Sequence, residues 1–337
     1  MSQTGTNWAN ATRLKTRQLS LLLELAEHGS VLRAAQAASM TQPAASKLLA
    51  EMESMLGVKL FERHARGVEP TWYGQVLVRH ARTALSELSR AHDEIAALRN
   101  GRMGQAAIGT VVNPGTNLVP QAIAAVKREY PDLLIRVEMD YSRPLVARLV
   151  DGQLDMVVGR ILGPDGLGDL DFEPLADEPH SLIARAGHPL TRRRRLDHAD
   201  LLEFGWILPP AASLLRSRMD AMFLEHGLPW PQNVVETSAL PVITNLLRTS
   251  DLLTALPVDS IAPYTQANML TVLPIELGVS IESFGIVRRR DHLLSPGAQR
   301  VLEALRVTAR RLYADLPAPQ GTRRSPPAKG LGYLGED

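Results

Sequence analysis

Residues 30–56 read SVLRAAQAASMTQPAASKLLAEMESML. Ser30 suits a helix N-cap, where its hydroxyl can accept from a free backbone N–H. Ala34, Ala35, Ala37 and Ala38 then favour a short helix that a neighbour can approach closely. Ser39 and Met40 leave that helix, Thr41 offers a second cap, and Pro43 falls in a first turn, where its missing N–H costs nothing. Ala45, Leu49, Met52 and Leu56 recur at four, three and four residues and make one apolar face. Gln42, Pro43, Ser46 and Lys47 lie off that face, near the N-terminal end. Amide, hydroxyl and ammonium groups placed there can reach base edges and phosphates in a major groove. An ordinary helical hairpin with a solvated face would carry the same residues, so the flanks decide.

Upstream, TRQLSLLLELAEHGS sets Leu19, Leu22, Leu23 and Ala26 at helical spacing, with Gly29 as the stop. This predicts a first helix and completes a three-helix unit. Downstream, LFERHARGVEPTWYG begins apolar at Leu60 and Phe61, turns at Gly67 and runs on. It reads as a two-stranded wing with Arg63, His64 and Arg66 near its tip, where arginines suit a narrow minor groove.

On these residues the chain from about Arg17 to Gly74 resembles the DNA-binding domain of LysR-type transcriptional regulators. SVLRAAQAASMTQPAASK, the LGVKLFER junction and ARGVEPTWYG carry the resemblance; Pro70-Thr71 stands where the family usually has leucine and threonine. The resemblance extends with falling specificity to about Tyr313. The residues it and the helix pattern mark for DNA are Ser30, Arg33, Thr41, Gln42, Pro43, Ser46, Lys47, Arg63 and Arg66.

From Trp72 to Arg99 the sequence is helical and amphipathic. Val78, Ala81, Leu85, Leu88 and Ile95 form one stripe, interrupted by His92, and Leu77, Ala84, Ala91 and Leu98 a second beside it. Two stripes exceed what one small domain must cover, so Ala81, Leu85, Leu88 and Ile95 are expected in a helix–helix dimer seam. A long helix packed on its own domain is the alternative. RNGRMG, residues 99–104, breaks the helix and marks a hinge. The expected domains are 13–74 (winged helix-turn-helix), 75–103 (linker helix and hinge), 104–316 (effector domain) and 317–337 (a Pro- and Gly-rich tail that reads as disordered).

From Gln105 strands and helices alternate: AAIGTVV, LVPQAIAAVKREY, LLIRVEM, SRPLVARLVDGQ and LDMVVGRI, then HSLIARAGHPL, WILPP, SRMDAMFLEHG, NVVETSA, LPVITNLLRTS and LLTALP, and finally ESFGIVRRR with a helix from Pro296 to Tyr313. The fold class is therefore α/β, with parallel pairing and two lobes flanking a ligand cleft at strand ends. This layout is similar to the effector domain of LysR-type regulators, itself like a periplasmic binding protein. Candidate effector contacts at strand-to-helix junctions are Asn113, Thr116, Ser142, Arg160, Pro209, Ser213, Thr237 and Ser238. Asn113 replaces the serine or threonine usual in the family, which weakens the case for a carboxylate ligand there.

The remaining features set limits. A chain of 337 residues with 45% apolar composition can bury more than one core. Net charge is +1, and residues 1–98 carry 11 basic and 9 acidic side chains, so affinity for DNA must come from placed charges and from doubling the head. There is no cysteine, which excludes disulfides and thiolate sites. No secretory core or 20-residue apolar run is present, so a cytoplasmic chain off the membrane is expected. GPDGLG at 163–168 reads as a surface loop, RRRR at 192–195 as a charged turn, and the nine scattered histidines show no metal-ligand spacing. No catalytic motif, cofactor or metal is expected. The reading is a DNA-binding regulator switched by a small effector held between the lobes, with a solute-binding protein or enzyme of similar fold as the alternative. Its expected partners are a dyad-symmetric DNA operator, an aromatic acid or sugar, itself as homodimer or homotetramer, and RNA polymerase.

Overall fold

The computed structural model describes residues 14–64, 67–99, 104–161, 168–211, 213–290 and 292–314. Arg66, most of the GPDGLG loop, residues 100–103 of the expected hinge and the tail from 317 lie outside these. The elements in chain order begin with α1 (Thr16–His28), α2 (Val31–Ala37), α3 (Gln42–Leu56), β1 (Phe61–His64), β2 (Gly67–Pro70) and α4 (Trp72–Arg99). Then come β3 (Gln105–Thr110), α5 (Val112–Thr116), α6 (Leu118–Glu129), β4 (Leu134–Met139), α7 (Ser142–Val150), β5 (Met156–Gly159) and β6 (Leu170–Arg185). The last group is β7 (Trp206–Leu208), α8 (Leu214–Glu225), β8 (Val234–Glu236), α9 (Leu240–Thr249), β9 (Thr254–Pro257), α10 (Val258–Gln266), β10 (Leu270–Val272), β11 (Ser280–Arg289) and α11 (Pro296–Leu312).

The head is α1–α3 with the wing β1–β2, closed by the start of α4. Its core is Leu21, Leu22, Leu25, Ala34, Ala35, Ala45, Leu49, Met52, Leu60, Phe61, Val68 and Ala81. Leu19, Leu23 and Ala26, expected on the buried face of α1, are only partly covered, while Leu21 and Leu25 are fully buried. LSLLLEL has leucine at nearly every position, so periodicity alone does not set the phase. Packing against α2, α3 and α4 sets it. Leu56, expected to extend the face of α3, is 41% exposed, because it lies past the core where Gly57 ends the helix in the left-handed region.

Glycine is required where the wing meets α1. Gly29 ends α1 at φ 58°, and the N–H of Val68 donates to its carbonyl at 2.9 Å. Gly67, read from sequence as a turn, opens β2 opposite His64 at φ 145°. A Cβ on Gly67 would lie 2.1 Å from the Gly29 oxygen, so any side chain there pushes the wing off α1.

The chain divides into two units. One gathers Met1–Gly109, Ile123–Val157 and Arg288–Ala304; the other gathers Thr110–Ala122, Val158–Val287 and Leu305–Asp337. In the first, β3 lies between β5 and β4, and β4 ends the strand order with Leu134, Val137 and Met139 exposed. In the second, β7 and β8 pair in parallel as expected, but β6 pairs antiparallel with both β9 and β10. The core of this unit centres on Trp206, fully buried, with Phe223 edge-on at 5.1 Å between ring centroids. β6 extends ten residues before the predicted HSLIARAG strand, and α10 and β10 were not anticipated. β6 runs through Pro174 and Pro179, and its ladders to β9 and β10 form over 180–185, beyond both prolines.

Candidate nucleic-acid interface and effector site

The two short helices place the DNA candidates together. Ser30 caps α2 by accepting from the N–H of Arg33, and the Arg33 guanidinium donates to the His28 carbonyl at 2.8 Å. Ser39 turns the chain at φ 52°, and Met40 N–H donates to the Ala35 carbonyl, which fixes the angle between α2 and α3. Thr41 then caps α3 by accepting from Ala44 N–H at 3.4 Å, with Pro43 in the first turn. Thr41, Gln42, Pro43 and Lys47 are exposed and Ser46 half-buried, all at the N-terminal end where α3 also has free backbone N–H groups. Arg63 is exposed on β1, paired across the wing with Val68. Among these candidates only Arg66 lies outside the described residues.

Sequence reasoning missed the residue that holds the wing to α3. Glu53 is buried on α3, takes Lys59 Nζ at 2.6 Å, and accepts from the backbone N–H groups of Leu60 (3.0 Å) and Phe61 (3.4 Å). Burial would raise its pKa, but these donors outweigh burial and hold it below the usual carboxylate value. A lone Glu in a helical pattern gives no sign of partners seven and eight residues on. Thr71, which follows the departure at Pro70, donates to the Lys59 carbonyl at 2.7 Å and accepts from Gly74 N–H at 3.1 Å, so it caps α4 while pinning the wing.

Of the seam candidates, Ala81 is 2% exposed and serves the core of the head itself, since the start of α4 covers α1. Leu85 is half-buried, and Leu88 and Ile95 are 56% and 60% exposed.

The effector candidates fall into separate settings. In the second unit Asn113 and Arg160, distant in sequence, meet around Glu178. The Arg160 guanidinium pairs with the Glu178 carboxylate and donates through Nε to the Glu282 carbonyl at 2.7 Å. Asn113 bonds Glu178 and accepts from Ser260 Oγ at 2.8 Å. Glu178 is pushed up by burial, with Arg160 opposing. His180 donates through Nδ1 to the Glu178 carbonyl at 2.9 Å, and burial, with the charge of Arg160, lowers its pKa to about 4, so the ring is neutral with Nε2 bare. Asp259 beside them is raised by burial and then by the charge of Glu178. Sequence singled out neither Glu178 nor Ser260.

The other candidates act locally. Thr116 donates to the Asn113 carbonyl, and Ser213 caps α8 by accepting from Arg216 N–H at 3.2 Å. Arg216 Nη1 donates to the Pro209 carbonyl at 3.0 Å and to Glu236 at 3.2 Å, which draws the ends of β7 and β8 together. Thr237 and Ser238, expected to begin a helix, precede it: α9 starts at Leu240, with Thr237 Oγ1 accepting from Ala239 N–H at 3.1 Å. Pro241 in the first turn accounts for the shift, since a helix takes proline readily there. Ser142, in the first unit, is buried in the first turn of α7, directly after the cap position at Tyr141.

A winged head with an exposed α3 end, followed by a two-lobed α/β effector domain, defines a DNA-binding regulator. Residues 16–75 match the bacterial regulatory helix-turn-helix protein model of the lysR family, and residues 99–310 match the LysR substrate binding domain. The chain therefore belongs to the LysR family of transcriptional regulators and is not an enzyme. It is 41% identical over 321 residues, 94% of each chain, to the HTH-type transcriptional regulator GbpR of Azospirillum brasilense. Two solved structures share the fold. Full-length CbnR complexed with its target DNA aligns over 88% of this chain and 100% of its own, with TM-score 0.59 and 19% identity. Full-length LysG from Corynebacterium glutamicum with bound effector Arg aligns over 88% and 99%, with TM-score 0.60 and 19% identity. Among the described residues no helix is long and apolar enough to cross a membrane, and no group of His, Cys, Asp and Glu could hold a metal ion.

Proposed function

We propose that the chain reads a dyad-symmetric operator as a homodimer joined through α4, in the cytoplasm, and controls access or activity of RNA polymerase there. Thr41, Gln42, Pro43, Ser46 and Lys47 face the major groove, Ser30 and Arg33 approach the adjacent backbone, and Arg63 and Arg66 reach the backbone or minor groove. The observation that carries this reading is the pair of apolar side chains, Leu88 and Ile95, left more than half exposed on a helix that continues well beyond the head. Burying them against a second copy couples two weakly charged heads and raises affinity through effective concentration. The exposed apolar side chains of β4 at the end of its sheet support further association to a tetramer.

The effector we infer is a neutral polyhydroxylated molecule, a sugar or related polyol. Arg160 is the cation an aromatic acid would need, and it is committed to Glu178; Asp259 adds a second carboxyl to the same cluster. A carboxylate would meet this local negative balance, whereas hydroxyl groups can donate to Glu178 and Asp259 and accept from Asn113. Thr116, Ser213 and Thr237 are spent on local backbone bonds, so the reading rests on Asn113, Glu178 and Asp259. A thermal-shift panel of monosaccharides and polyols against benzoate-type and aliphatic carboxylates tests this, because a ligand bound to the folded chain raises Tm. Stabilisation by a carboxylate and by no sugar would overturn the effector class.

A further inference from the structure

Helix α4 carries a second face of different chemistry. Arg82, Thr83, Ser86, Glu87 and Arg90 fall within about 140° of its circumference at 100° per residue. Every one of them is bonded to α7, the turn after it, or the end of β11. Arg82 Nη1 donates to Asp151 at 3.0 Å, Thr83 Oγ1 to the Val150 carbonyl at 3.2 Å, and Ser86 Oγ to the Gly152 carbonyl at 2.7 Å. Arg90 pairs with the buried Asp155, whose other oxygen accepts from Ala107 N–H at 2.7 Å. Glu87 accepts from Arg289 Nη2 at 3.0 Å, and Arg289 Nη1 donates to the Leu149 carbonyl at 2.6 Å. Gly152 completes the fit: at φ 76°, a Cβ there would stand 3.3 Å from Ser86 Cβ and Oγ.

These five contacts lie opposite the exposed Leu88 and Ile95, so one helix face is committed inside the chain and the other is left outside. We propose that residues 149–155 and Arg289 form a built-in saddle for α4. Arg82, Ser86, Glu87 and Arg90 are thus positioning residues that fix the direction in which the head is presented to an operator. They touch no base, and their effect is transmitted through the axis of α4. The operator half of this inference rests on the two-headed reading above; the saddle itself does not.

The absence of cysteine from the chain gives a clean test. In the full-length protein Ser86→Cys with Gly152→Cys places two Cβ atoms near disulfide separation. Mild oxidation should produce an intrachain crosslink, seen by non-reducing mobility and loss of free thiols. Because Gly152 is left-handed, a second arm uses charge. Arg82→Glu is compared with Arg82→Glu combined with Asp151→Arg on two DNA probes, a two-half-site fragment selected in vitro by the wild-type chain and its half-site version. The single change should weaken two-half-site binding by about fivefold or more and leave half-site binding within about twofold; the swapped pair should recover the loss. Free thiols in the folded protein, equal losses on both probes, or no recovery on swapping would each overturn the saddle. A wild-type chain that sediments as a monomer on the two-half-site probe would instead overturn the two-headed reading and leave the crosslink result to stand.

Discussion

At the scale of single residues the interface splits into side chains whose role is local and side chains that wait for a partner. Ser30 and Thr41 announce themselves in sequence because a cap needs only a hydroxyl directly before a helical run, where it accepts from an N–H three residues on. Gln42 follows from them, being the first exposed residue of α3. Gln42→Ala should cost roughly 1–3 kcal/mol of discrimination at particular bases, read as a flattened ranking in a gel-shift series of point-changed operators; Arg63→Ala should weaken every sequence alike and reduce the salt slope. Glu178 and Ser260 were illegible because each acquires meaning from residues far along the chain, Arg160 and Asn113. Two titrations follow. His180 is held near pKa 4 when folded against about 6.5 when unfolded, so the unfolded chain binds more protons between those values. Stability should therefore fall as pH drops through that window, by about 3 kcal/mol in all, and His180→Asn should flatten the decline in a Tm-versus-pH series. Glu53 acts in the same direction at lower pH: its folded pKa is lowered, so its contribution is intact above the ordinary carboxylate value and is lost as pH falls below it. Glu53→Gln should lower Tm at neutral pH and narrow the gap to wild type on acidification.

Elements were legible where their period was unambiguous. The α4 boundaries, Trp72–Arg99, match the sequence reading because Thr71 caps one end and the glycine pair follows the other. β6 was half seen: its apolar second half, from His180, reads as a strand, while Pro174 and Pro179 break the pattern of its first ten residues. The stripe on α4 shows what periodicity cannot do. It finds an apolar face but not what covers each part of it, and the structure assigns Ala81 to the head while leaving Leu88 outside. Leu88→Glu would set carboxylates facing each other across a two-fold seam without disturbing a buried position. Sedimentation mass should drop, and binding to a two-half-site operator should fall much more than binding to a half-site; an unchanged mass with intact binding would remove α4 as the seam.

For the whole molecule, the α/β class and two-lobed plan were readable from alternation alone, but the antiparallel pairing of β6 with β9 and β10 was not, because pairing direction depends on connections of long span that leave no local mark. The close passage of Gly67 over the Gly29 carbonyl has a consequence for inheritance. A Gly67→Val allele should spoil the wing of its own subunit and leave α4 and the lobes to assemble as before. Such subunits would enter mixed oligomers with normal ones and disable them, so the allele should be dominant over wild type in a merodiploid strain. An allele that destroys the core around Trp206 should be recessive, since its product never reaches an oligomer. Comparing reporter transcription in the two heterozygotes would tell the two kinds of lesion apart in living cells before any protein is purified.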